Sequence, residues 1–117
     1  MMTILYLQDK NNGFEKRDMD NFNIDAITGL VEGPPEAIYL PENIVLWKNP
    51  RAALLNQEKK LVLQHEGELN DTIHGNIVIT GTDGTKTIAL NDDQINWVNQ
   101  NLTETESDGE TLHALPY

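Results

Sequence analysis

Asn76-Ile77-Val78-Ile79-Thr80-Gly81-Thr82-Asp83-Gly84-Thr85-Lys86-Thr87-Ile88-Ala89-Leu90 is the stretch that decides the fold. Ile77, Val78 and Ile79 are β-branched, and Thr85, Thr87 and Ile88 continue the same preference. Asp83-Gly84 between two such runs predicts a short β-hairpin, because glycine reaches positive φ without a steric cost. Immediately after it, Asn91 stands three residues before Gln94, the pattern of a capping box. Asp92 and Asp93 then fall in a first helical turn, where the helix dipole favours negative charge. Ile95, Val98 and Leu102 share one face of that helix, and Trp97 falls off the arc at its boundary.

Working outward toward the start, Lys60 to Gln64 reads as a strand and Glu66 to Asn70 as a polar connection. Asn49-Pro50 breaks the pattern before it, and Arg51 to Asn56 forms one helical turn or a loop. Ala37–Leu40 and Ile44–Trp47 are two short β-prone runs joined by Pro41-Glu42-Asn43, which predicts another hairpin. Before them, Asn21 or Asn23 caps a short helix whose apolar face is Ile24, Ile27, Leu30 and Val31. Gly33 ends that helix, and Pro34-Pro35 prevents it from resuming. Thr3–Leu7 is an opening strand, Asn11-Asn12-Gly13 a turn, and Phe14–Met19 a polar edge strand guarded by Lys16 and Arg17. The expected fold is α+β: a single, mostly antiparallel sheet of about five to six strands packed with two short helices. Residues 1–102 make the domain. Residues 103–117 form an acidic, flexible C-terminal tail, of which Leu112–Tyr117 either docks back or stays loose.

Composition restricts the function. The chain has 117 residues, 19 acids against 8 Lys and Arg, and a formal charge of −11. Direct nucleic-acid binding and an anionic membrane surface both need the opposite sign. A basic protein surface suits this charge, and so does plain solubility. The chain has no cysteine, which excludes disulfides, thiolate catalysis and cysteine-based zinc sites. No basic leader or apolar run of membrane-spanning length is present, so a cytoplasmic location is expected.

No catalytic constellation is legible. His65, His74 and His113 are widely spaced, Ser107 is the only serine, and Gly81-x-x-Gly84 lacks the lysine and helix of a phosphate loop. Acidic spacing of the calcium-loop type is absent. The reading is therefore no enzyme, no cofactor and no metal.

Acidity is uneven: from Thr87 to Tyr117 there is no Lys or Arg. Glu104, Glu106, Asp108 and Glu110 alternate with Thr105, Ser107 and Gly109. In an extended chain all four carboxylates would face one side at about 6.7 Å spacing. That approximates every second phosphate of a DNA strand. Asp92, Asp93, Trp97, Glu104, Glu106, Asp108 and Glu110 are thus the candidate partner-binding residues. A solvated acidic tail and ordinary first-turn helix acids explain the same residues without a partner. Arg51, the one base in a Pro-containing loop, is the alternative ligand-binding candidate.

Two stretches carry a family resemblance. Leu30-Val31-Glu32-Gly33 with Glu36–Pro41 and Ile44–Trp47 is one. The other is Asp71–Gly81 with Asp83-Gly84 and Leu90–Ile95. Over roughly residues 24–102 the chain resembles a phage- and mobile-element-associated small domain family of unknown function. It departs from that pattern after Trp47, where a short link leads straight into Asn49-Pro50-Arg51-Ala52. The resemblance implies a viral or plasmid origin and carries no catalytic motif. With the charge, it gives the leading expectation: a stoichiometric inhibitor of a host nucleic-acid-binding defence system, such as a CRISPR nuclease or restriction enzyme. The alternatives are a sponge for a nucleotide immune signal, or a structural accessory protein that forms a homodimer through Phe14–Met19.

Overall fold

The structure is a computed structural model that describes residues 2–8, 13–66, 68–107 and 109–117. Asn11-Asn12 of the expected first turn lie outside the described residues. In chain order the elements are β1 (Met2–Leu7), β2 (Glu15–Met19), α1 (Ile24–Val31), β3 (Glu36–Leu40), β4 (Ile44–Lys48), β5 (Lys59–His65) and β6 (Glu68–His74). They continue with β7 (Ile77–Thr82), β8 (Thr87–Ile88), α2 (Asp92–Asn101), β9 (Thr103–Ser107) and β10 (Glu110–Pro116).

The α+β class holds, but the single expected sheet is two. The first runs β2-β1-β7-β4-β3, with β8 added beside β7, and all its pairs are antiparallel. The second runs β6-β5-β10-β9 and is mixed, because β10 lies parallel to β5. Two features create the second sheet. Gly75, at φ +78°, ends β6 and turns the chain into β7 of the other sheet. A Cβ at Gly75 would approach Ala52 Cβ at 3.0 Å, so bulk is excluded there as well. The other feature is the C-terminal segment. Rather than leaving the fold as a tail, residues 103–107 and 110–116 form a hairpin, and β10 fills the place between β5 and β9.

The sheets stack face to face. Leu5, Leu7, Ile44, Leu46, Ile77 and Ile79 of the first meet Leu61, Leu63, Ile73 and Leu115 of the second in one buried cluster. Strand alternation sends Ile4, Tyr6 and Val78 to the opposite face of the first sheet, where Ile27 and Val31 of α1 cover them. Of the two candidate caps for α1, Asn23 is the one used: its side chain accepts from the Asp25 N–H at 2.8 Å. The helix ends one residue earlier than glycine placement predicts, because Glu32 itself takes the left-handed conformation at φ +62°. Gly33 instead admits Asn49, whose Nδ2 would sit 2.6 Å from a Cβ at that position. Buried Asn49 donates to Glu32 O and accepts from the Arg51 N–H, tying the loop after β4 to the end of α1.

Candidate functional site

The capping box of α2 is present with both of its bonds. Asn91 Oδ1 accepts from the Gln94 N–H at 2.8 Å, and Gln94 Oε1 accepts from the Asn91 N–H at 3.0 Å. Gln94 is buried and does more than cap. Its Nε2 donates to Glu42 O and Asn43 O, at 3.0 and 2.9 Å. Both residues lie at positive φ in the β3–β4 turn, so one side chain fixes a strained turn and a helix start together. The helix face seen in sequence is slightly rotated: Gln94 and Val98 are buried, with Ile95, Trp97 and Leu102 partly so.

The candidate partner-binding residues are only partly brought together. Asp92 and Asp93 are exposed at the start of α2. Glu104 and Glu106 are exposed on β9, an edge strand, on one face about 6.7 Å apart. About 12 Å of helix, residues 94–101, lies between the two pairs of acids. Trp97 packs against the inter-sheet core and is no free-standing anchor. Asp108 lies outside the described residues. Glu110 pairs with Ser107 across the hairpin, so it shares the face of Ser107 and Thr105, opposite to that of Glu106. The strip of four aligned carboxylates therefore does not form, because the chain reverses within it. What remains is a pair of acids on β9 and a pair at the helix start. Among the described residues, none of these four makes an ion pair.

Arg51 stands elsewhere, in a groove of about 450 Å³ lined by Pro34, Pro35, Glu36, Asn49 and Pro50. Its loop also presents Leu54, 83% exposed, and Leu55. The sequence marked this loop only as a break in pattern. Its apolar pair matched neither strand nor helix spacing, which was the available signal for exposure. A third surface is aromatic. Trp47 is half-buried on the outer face of the first sheet: its ring lies 5.6 Å from that of Phe22, and its Nε1 donates to Thr80 Oγ1. Tyr39 on neighbouring β3 is 71% exposed.

Asp83 and Tyr6 have displaced pKa values. Asp83 in the β7–β8 loop accepts from the N–H groups of Thr85 and Lys86 and from the Thr85 hydroxyl, which lowers its pKa to about 2. Burial raises the Tyr6 phenol above its ordinary value, against the opposing pull of Arg17, whose guanidinium lies 4.6 Å from the ring centre. Both groups serve the fold. Among the described residues no three His, Asp or Glu side chains gather as a metal site would require. Among the described residues no helix is long and apolar enough to cross a membrane.

Fold and surface together define a small α+β domain of two stacked sheets, with unpaired acids on an edge strand and on a helix start. The chain belongs to the DUF3846 family, a domain of unknown function, which matches residues 2–103. The match ends at the first residue of β9, so nearly all of the β9–β10 hairpin lies beyond it. No curated protein and no solved structure matches the chain.

Proposed function

We propose that this chain is a non-catalytic binding module that occupies a basic, phosphate-holding surface of another protein. The exposed carboxylates of Asp92, Asp93, Glu104 and Glu106 support this reading most strongly, because none has a cationic partner among the described residues. Carboxylates placed this way attract Lys and Arg that otherwise hold phosphates, and they raise the association rate with such a surface. The partner class that fits is a nuclease or other nucleic-acid-binding protein of a host defence system. The chain would then be a stoichiometric inhibitor, carried by a phage or mobile element and acting in the host cytoplasm. Specificity in this reading comes from apolar contacts beside the acids, since charge alone selects weakly.

The test is capture from host extract on the immobilised chain, followed by challenge with duplex DNA or RNA. Proteins retained at physiological salt and displaced by nucleic acid support the reading. Retention of no nucleic-acid-binding protein, or of one that still loads nucleic acid normally, sinks it.

A second reading has its own observation. The Arg51 groove falls within the usual size of small-molecule sites. A nucleotide signal bound there would place its phosphate on Arg51 and its base against the prolines. Thermal shift against cyclic nucleotides, repeated with Arg51→Ala, tests it. A shift lost in the variant supports it, and no shift with any nucleotide removes it.

A further inference from the structure

We propose that the chain forms a homodimer through the free edge of β3, joining two first sheets into one continuous antiparallel sheet. The argument rests on how differently the edges are furnished. β2, the other end of the same sheet, exposes Glu15, Lys16, Arg17 and Asp18 along its length. β9 carries Glu104 and Glu106, which would stand opposite each other if two copies paired about Thr105. β3 reads Glu36-Ala37-Ile38-Tyr39-Leu40, and among the described residues its only hydrogen-bonded neighbour is β4. Its single charge, Glu36, already lies 3.9 Å from Lys48 Nζ. An edge without repelling charges is one that accepts another strand.

Side-chain size supports a second copy as that strand. With two β3 strands antiparallel about Ile38, Ala37 lies opposite the second copy's Tyr39. Ala37 also pairs with Trp47 of its own β4, and Tyr39 with Val45. Across the outer face the row then reads Trp47, Ala37, then the second copy's Tyr39 and Val45. A small side chain thus sits between two aromatics, and the same row recurs once by symmetry. Tyr39, 71% exposed in the single chain, becomes covered. Glu36 falls opposite Leu40 and not opposite its own symmetry mate, so no like charges meet. This dimer does not use the acidic pairs and shares only Glu36 with the lining of the Arg51 groove, so it stands or falls apart from the proposed partner-binding function.

Sedimentation equilibrium of the full chain across a wide concentration range tests it, with Tyr39→Lys alongside. A monomer–dimer equilibrium is expected, weakened tenfold or more by Tyr39→Lys while the circular dichroism stays unchanged. Because the chain has no cysteine, Ala37→Cys and Tyr39→Cys variants give a clean register test. An equimolar mixture should form a covalent dimer on mild oxidation, much faster than either variant alone. A chain that stays monomeric throughout overturns the proposal. So does a dimer insensitive to Tyr39→Lys, or cross-linking no faster in the mixture than in the separate variants.

Discussion

Two hairpins of this molecule stand in contrast. The β7–β8 hairpin is written locally. Thr82 pairs with Thr87, and Asp83 accepts three hydrogen bonds within its own loop. The β9–β10 hairpin has no such strong local signal, since Thr103–Ser107 is wholly polar. Yet its second strand is central in the second sheet, and Leu112, Ala114 and Leu115 are almost fully buried. Local chemistry makes the first hairpin, and tertiary burial makes the second. The acids at the C-terminal end are thus carried by a strand whose neighbour is core, not by a loose tail.

The largest effect expected from this contrast follows deletion of residues 103–117. Removing β10 strips β5 of a neighbour and opens the inter-sheet core, so the truncated chain should lose its cooperative thermal transition. A truncated chain melting like the full one would return the segment to the status of a tail. Next is Leu115→Ala, which should cost about 2–5 kcal/mol by urea denaturation, as for other fully buried large-to-small changes.

Gln94→Ala comes third. It removes the capping bond and leaves Glu42 O without its Gln94 donor, for about 1–3 kcal/mol. Its signature should appear in the amide exchange of the β3–β4 turn as well as in α2.

The smallest effect concerns pH and the local hairpin. Asp83 has a folded pKa of about 2, below its ordinary 3.8. A depressed carboxylate contributes stability above its unfolded pKa, and that contribution fades as pH falls from about 4 toward about 2. Carbon-detected NMR titration of Asp83 should show that low midpoint. Asp83→Asn should flatten stability in this pH window, with a small loss at neutral pH that vanishes toward pH 2, small because the group is fully exposed.

The same contrast explains what could be seen in the sequence. The β7–β8 pair, the β3–β4 pair and the capping box rest on contacts within a few residues, and each was legible; of the face expected for α1, Ile27 and Val31 are buried but Ile24 is exposed. β6 was not: Glu66 to Asn70 reads as a polar connection, and only pairing with β5 makes Glu68–His74 a strand. β9 and β10 were hidden for the same reason, and with them the second sheet. The acidic residues were legible as residue types. Their geometry was not, because the pairing of β9 with β10 puts Glu110 on the face opposite to Glu106. Trp97 shows the converse. Its place off the helical arc implied the boundary, but packing against the core could be known only from the sheets beneath it.

If exposed carboxylates on β9 and at the start of α2 hold a basic partner, as proposed, reversing their charge should release it. The most direct measurement is capture from host extract by the full chain beside a variant with Glu104→Lys and Glu106→Lys, both checked for an unchanged melting temperature. The variant should lose ~10-fold or more of the retained basic, nucleic-acid-binding protein, and the native chain should release it to competing DNA or RNA. Equal retention by the two folded chains, indifferent to nucleic acid, would contradict the proposal.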